Sequence, residues 1–211
     1  SFSEKLMLPS DTSEIIKRPW SLITYMFLHE SFIHLLFNML WLHFGGKLFL
    51  EYLNQKQIVN IYLLGGLFGG IFFVCAFNYF PALTPYSQNA KALGASASVL
   101  AIFVAIATKI PNYQINIPLI GFIKLKHIAL FFIILDFLSI PKGNAGGHIA
   151  HIGGAIFGYI YIKQIQNKRK SLFSDFISIF KNPKNKKTKS KKEINEVDIV
   201  LEKISKSGYN S

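Results

Sequence analysis

The sequence predicts an all-α polytopic membrane protein with about five transmembrane helices. Of its 211 residues, 51% are apolar and only 16% are charged, whereas a soluble domain carries about 25% charged residues. Its long apolar segments approach the ~20 residues that a helical span needs. These segments are continuous rather than alternating, which favours helices over barrel strands.

The predicted spans divide the chain into three regions. The spans cover residues 32–50, 58–80, 92–110, 125–140 and 147–165. Residues 1–30 are expected to form an external loop and interfacial segment. Residues 31–167 form the expected transmembrane domain, and residues 168–211 form a basic cytoplasmic tail.

Charge predicts the orientation of the helices. By count, 13 of the 23 Lys and Arg residues lie from Lys163 onward, and such clusters favour the cytoplasmic side. Five spans then leave the N-terminus outside. Because an external N-terminus has neither a start Met nor a signal peptide here, we expect at least one further span upstream. The Lys- and Asn-rich composition suggests a bacterial inner (plasma) membrane.

Composition and spacing argue against several other classes of protein. The single Cys75 cannot form an intrachain disulfide. No Cys/His cluster has zinc-ligand spacing and no glycine-rich loop follows a strand, so we expect neither a metal nor another cofactor. No nucleic-acid partner is expected, and the lipid bilayer is the surrounding medium. A small transporter would need a polar pathway, but the cytoplasmic halves of the spans are largely apolar.

Four polar residues at one depth form the candidate site. Ser96 and His151 each begin a span that enters from the outer side, and His34 and Asn38 lie in the outer part of the first span. Polar groups are costly in hydrocarbon and mark functional sites there. Ser96 needs a base to become a nucleophile, and His151 can supply it. His34 and Asn38 share one helix face, and with the Ser96 N–H they can donate hydrogen bonds to an oxyanion.

Other polar residues have simpler interpretations. Ser98 faces away from Ser96 on the helix and is expected to be structural. His148 lies closer to the loop than His151 and is expected to have a supporting role. Asp136 is the only acid well inside an apolar segment, and one interpretation makes it the third member of a triad with His151. We expect it instead to pair locally near the outer interface, so a Ser–His dyad is the simpler hypothesis.

Glycines spaced four residues apart are typical of closely packed membrane helices. On the fifth span, Gly154 and Gly158 form such a pair, and Gly154 lies on roughly the same face as His151. The serine helix would have to approach that face. The second span carries two overlapping pairs, made by Gly65, Gly66, Gly69 and Gly70.

Three motifs, in this order along the chain, resemble those of the rhomboid intramembrane serine proteases. They are the oxyanion element His34-Leu35-Leu36-Phe37-Asn38, the nucleophile motif Gly94-Ala95-Ser96-Ala97, and Ala150-His151-Ile152-Gly153-Gly154 with Gly158. The last motif selects His151 over His148. The resemblance spans residues 18–161 and implies a rhomboid-like helical bundle from which the first of the usual six spans is missing.

The sequence departs from the family pattern at three positions. Trp20-Ser21 stands where a Trp-Arg pair is usual, and the arginine, Arg18, precedes the tryptophan. Ala97 stands where glycine is commonest. Leu100 stands where many members have an aromatic residue that packs on the catalytic histidine, so His151 is expected to be held less firmly.

The resemblance implies an intramembrane serine endopeptidase that cleaves transmembrane protein substrates near the outer membrane face by a Ser96–His151 dyad. The alternative is a catalytically inactive relative that binds transmembrane clients for quality control. Inactive members are recognised by loss of the serine or the histidine, and this sequence has both.

Overall fold

The structure, a computed structural model, describes residues 2–86, 88–117 and 119–167, so the predicted tail lies outside the described residues. Two short helices come first, α1 (Thr12–Lys17) and α2 (Ser21–Thr24). Five longer helices follow: α3 (Phe32–Tyr52), α4 (Gln55–Tyr79), α5 (Ser96–Lys109), α6 (Leu125–Ser139) and α7 (Ala145–Gln166). The described residues also form four short strands: β1 (Leu8–Pro9), β2 (Lys91–Ala92), β3 (Gln114–Ile117) and β4 (Gly121–Lys124).

The helices α3 to α7 coincide with the five predicted apolar segments, which confirms the helical fold class. The third segment begins as a helix only at Ser96, because residues just before it form β2 and pair with β1. By length and composition, α3 and α4 are long and apolar enough to cross a membrane, and α5 is a shorter apolar helix. The hairpin β3–β4 connects α5 to α6.

Polar side chains fix where three of the long helices begin. Ser31 accepts a hydrogen bond from the backbone N–H of His34 and so caps α3. Asn54 and Gln57 form a reciprocal capping box on α4. Asn144, in the left-handed region at φ 48°, caps the first turn of α7. These caps satisfy backbone donors that have no partner within a helix.

Helix α5 is the centre of the bundle. Every residue from Ala97 to Ala107 is buried except Leu100, and α3, α4, α6 and α7 all pack against this helix. By contrast, α6 buries only Leu125, Ala129 and Asp136. Its outer face is apolar, as a lipid-facing surface requires, and carries Leu130, Phe131, Ile134, Phe137 and Leu138.

Glycines bring α7 and α4 into backbone contact with α5. A Cβ on Gly154 would overlap the carbonyl oxygen of Ala97, and a Cβ on Gly158 would overlap that of Ala101. A Cβ on Gly65 of α4 would overlap the Ala101 side chain. Such close approach is how membrane helices gain packing energy without a hydrophobic drive between them. It also sets the distance between the two helices that carry Ser96 and His151.

Gly154→Leu is expected to lower the free energy of unfolding by about 3 kcal/mol, because the new side chain meets backbone atoms of Ala97 that cannot rotate away. Thermal unfolding in detergent measures this change. Ile156→Leu, at a position of α7 that is 39% exposed, is the matched control and should leave the midpoint within about 1 °C. Equal midpoints for the two variants would contradict the packing described here.

The N-terminal segment is tied to the chain that leads into Ser96. Leu8 of β1 is opposite Ala92 of β2. The Gly94 N–H donates to the carbonyl oxygen of Tyr25, at 2.9 Å. The buried Tyr25 hydroxyl in turn donates to the Gly66 carbonyl oxygen of α4, at 2.6 Å. The strand pairing and the Gly94 bond hold the segment before Ser96, and the Tyr25 hydroxyl connects this region to α4.

Candidate active site

Ser96 is the first residue of α5, and the turn before it is restricted to glycine. Gly94 has a φ of +126°, and a Cβ there would lie 3.0 Å from the His34 ring. The first hydrogen bond within α5 runs from the Val99 N–H to the Ala95 carbonyl oxygen. The backbone N–H of Ser96 therefore has no helical partner and points out of the positive end of the helix dipole.

The Ser96 hydroxyl contacts His151 of α7. The distance from Ser96 Oγ to His151 Nε2 is 2.6 Å. It depends on the contact one turn deeper, where Gly154 lies directly on Ala97. The structure thus brings together the predicted nucleophile and base from residues that are 55 positions apart in the sequence.

Asp136 is a third group in contact with the Ser96–His151 pair that we expected to act as a dyad. Its Oδ1 lies 2.8 Å from His151 Nδ1, and the residue is 8% exposed. We expected Asp136 to pair locally near the outer interface, but its carboxylate contacts two histidines of α7 instead. The short connection after α6 turns the chain so that its last turns lie beside the first turns of α7. This packing, which hydropathy does not reveal, brings the carboxylate to His151.

The contact with Asp136 fixes the tautomer of His151. A carboxylate only accepts hydrogen bonds, so His151 donates from Nδ1 and its lone pair lies on Nε2. That lone pair faces the Ser96 hydroxyl, which can donate to it. This is the arrangement of a serine, a general base and an orienting carboxylate.

A second histidine shares the same carboxylate oxygen. His148 Nδ1 lies 2.8 Å from Asp136 Oδ1, and the rings of His148 and His151 meet edge to face with centroids 6.0 Å apart. Both imidazoles are about one quarter exposed. His148 therefore contacts the candidate site through Asp136, whereas only His151 of this pair contacts Ser96.

His34 and Asn38 lie across the site from His151. The Asn38 amide, which is buried, donates one hydrogen bond from Nδ2 to the His34 carbonyl oxygen at 2.9 Å. An amide nitrogen has a second N–H. Both residues line a cavity of about 260 Å³ together with Ser96, Asp136 and His151. All four residues predicted from the sequence therefore meet in one space.

The remaining cavity wall is apolar. Trp41 of α3 packs edge to face on Phe103 and Phe132, with ring centroids 5.4 and 5.0 Å away. Leu100, which stands where many family members have an aromatic residue, also lines the cavity. The full apolar lining is Phe37, Trp41, Val99, Leu100, Phe103, Phe132 and Leu135. This surface can hold an apolar side chain beside Ser96.

His29 adds a histidine that the sequence did not associate with the site. Its ring meets that of His34 edge to face, with centroids 5.1 Å apart. Burial lowers the pKa of His29, and charge on His34 lowers it further. A pKa below the usual value of ~6.5 keeps His29 neutral at neutral pH.

The fold and the site define a polytopic helical protein that carries the groups of a serine hydrolase. The model of the rhomboid domain matches residues 17–167. The chain belongs to the rhomboid family, whose members are embedded in membranes.

Three relatives illustrate the similarity. Presenilin-associated rhomboid-like protein A, mitochondrial, of Danio rerio is 30% identical over 64% of this chain and 35% of its own length. RHOMBOID-like protein 12, mitochondrial, of Arabidopsis thaliana is 28% identical over 71% of this chain and 47% of its length. Rhomboid protease GlpG of Haemophilus influenzae is 29% identical over 67% of each.

Two points follow from these relatives. The matched region spans between about a third and a half of the length of the two mitochondrial relatives. Because relatives named as mitochondrial are prominent among the matches, the comparisons do not support the bacterial inner membrane suggested by composition. The membrane setting itself is common to the family.

Proposed function

We propose that this protein is an intramembrane serine endopeptidase in which Ser96 is the nucleophile and His151 the general base. One observation carries the proposal. The Ser96 hydroxyl lies 2.6 Å from His151 Nε2 while Asp136 binds Nδ1 of the same ring. Similarity to a rhomboid protease over two thirds of this chain supports it.

In the proposed reaction, Ser96 is the nucleophile, His151 transfers protons and Asp136 stabilises the charge on His151. Ser96 Oγ attacks the scissile carbonyl carbon while its proton moves to His151 Nε2. Asp136 stabilises the imidazolium that forms and keeps its orientation. His151 then protonates the leaving amine. Water next attacks the acyl carbonyl carbon while its proton moves to His151, and His151 returns that proton to Ser96 Oγ as the bond from the acyl carbon to Oγ breaks.

The charge that develops on the carbonyl oxygen needs donors already in place. The Ser96 N–H at the start of α5 is one, and the Asn38 amide and the His34 ring, which line the same cavity, are the others. Such donors contribute most when they are fixed before the reaction. The buried Asn38 and the glycine turn that holds His34 beside Ser96 meet that condition.

The proposed substrates are transmembrane proteins that enter from the bilayer. Peptide bonds inside a helix are shielded by hydrogen bonds, so the substrate must unwind next to Ser96, and small or helix-breaking residues favour this. The site is proposed to lie on the outer side of the membrane, as the charge distribution of the sequence predicts. An inactive client-binding protein is the second candidate, but it gives no reason for a hydrogen-bonded Ser96, His151 and Asp136.

Covalent labelling by a fluorophosphonate tests the proposal. The protein, purified in detergent, should be labelled, and Ser96→Ala should reduce labelling to background because only an activated serine reacts. Ser98→Ala is the matched control, since the Ser98 hydroxyl is buried and makes no hydrogen bond in the described part of the chain. Labelling that survives Ser96→Ala, or fails in folded wild type, would contradict the proposed nucleophile.

A further inference from the structure

Three potential metal ligands meet beside the candidate active site. They are the side chains of Asp136, His148 and His151, each of which offers one ligand atom within 4.8 Å of the other two. The Nδ1 atoms of both histidines lie 2.8 Å from Asp136 Oδ1. We propose that these three side chains form a binding site for a divalent transition-metal ion of the zinc type, and that binding there inhibits hydrolysis.

The donor set fits zinc in kind and nearly in distance. Zn²⁺ takes imidazole nitrogen and carboxylate oxygen at about 2.0–2.2 Å, which separates tetrahedral ligands by roughly 3.3 Å. The two 2.8 Å contacts to Asp136 Oδ1 must open by about half an ångström. His148 and His151 lie one turn apart on one face of α7, so rotation of their side chains can direct both Nδ1 atoms to one ion.

The cluster is partly open and suitably charged. The side chains of His148 and His151 are each 24% exposed, and that of Asp136 is 11% exposed. Exposure leaves room for a water molecule as the fourth ligand, which zinc sites with three protein ligands keep. The carboxylate offsets part of the charge of the ion, which lowers the cost of holding it in an apolar surrounding.

Inhibition follows from the tautomer of His151, and this step rests on the proposed function. When a metal takes Nδ1, the neutral imidazole carries its proton on Nε2. The proton moves from Nδ1 to Nε2, so none is gained or lost by the ring. Nε2 then cannot accept the proton of Ser96, and Asp136 no longer orients the ring. Zinc thus removes the general base without touching the nucleophile.

The first experiment measures metal binding to a variant that lacks the proposed nucleophile, so it does not depend on enzymatic activity. Ser96→Ala protein in detergent should bind one Zn²⁺ in competition with a chromogenic chelator, and Co²⁺ should give the visible spectrum of a four-coordinate ion. Adding His148→Asn, which keeps an N–H for Asp136 but removes a metal ligand, should weaken binding more than about tenfold. His127→Asn, at an exposed position of α6, is the control. Equal affinity in the His148 and His127 variants would overturn the site.

Inhibition is tested second, on the protein with Ser96 intact. Zn²⁺ should slow fluorophosphonate labelling reversibly, with recovery on adding a chelator. His148→Asn should need more than about ten times as much Zn²⁺ for half-inhibition, relative to its own uninhibited rate. If the protein binds Zn²⁺ reversibly but the metal-free protein is not labelled, the proposed protease function is refuted and the proposed metal site is still supported. Labelling that Zn²⁺ does not slow would refute the inhibitory site alone.

Discussion

His151→Ala is expected to lower the rate of substrate cleavage by about 10⁴-fold or more, as loss of the base of a catalytic triad does. Without the imidazole, nothing removes the proton from Ser96 Oγ, which is 2.6 Å from Nε2 in the structure. Single-turnover cleavage of a transmembrane substrate in detergent measures the loss. KM should change little, because the base contributes to the transition state rather than to substrate binding.

His148→Asn is the comparison that separates the two histidines. An asparagine can still donate a hydrogen bond to Asp136, and His148 has no contact with Ser96. We expect its cleavage rate to stay within about tenfold of wild type, in line with a partner outside the reacting groups. A loss for His148→Asn as large as that for His151→Ala would show that the wrong histidine has been assigned as the base.

Asp136→Asn is expected to lower cleavage by about 10² to 10⁴-fold. The upper value applies when the new amide turns an N–H towards His151 Nδ1, which forces the proton of the ring onto Nε2. The lower value applies when the amide oxygen keeps accepting from His151, since the orientation then survives without the negative charge. The volume of the side chain hardly changes, so thermal unfolding in detergent should report a folded protein.

Asp136→Glu distinguishes a lost charge from a lost position. It keeps the carboxylate but extends it by one methylene into a packed site. Partial rescue relative to Asp136→Asn would show that the charge matters. Full activity of Asp136→Asn would mean that Ser96 and His151 act as a dyad and that Asp136 has only a structural role.

Most of the fold could be predicted from the sequence because hydropathy directly reports helical spans in lipid. The apolar segments became α3 to α7 with their ends shifted by a few residues. The largest shift lies at residues 92–95, where pairing with β1 and the Gly94 turn replaced the expected helix. Pairing with a distant strand is invisible to a local pattern, and so the β1–β2 contact was not predicted.

The residues of the candidate site could be predicted from the chemistry of single polar side chains in apolar segments. Ser96, His151, His34 and Asn38 are polar groups in apolar segments, and such groups are rare enough to attract attention. They line one cavity in the structure. The same reasoning singled out Asp136 as an acid inside a span. A local partner was expected for Asp136, because the sequence does not reveal which face of α6 packs against α7.

The metal-ligand cluster that includes His148 could not be predicted from the spacing of residues in the sequence. Zinc motifs are recognised when several ligands lie close together in the sequence. Here two ligands lie on α7 and the third on α6, so the cluster exists only after the helices pack. Ionisable groups are rare in membrane spans, so the presence of Asp136, His148 and His151 in these segments indicates that they contact one another.

Cleavage of a single-span substrate in liposomes tests the central claim most directly. Wild type and Ser98→Ala should yield the same two fragments, whose masses identify one bond in the outer part of the transmembrane segment. Ser96→Ala and His151→Ala should yield neither fragment above background. The same fragments formed at an unchanged rate by Ser96→Ala would contradict the account, because hydrolysis would then depend on another residue.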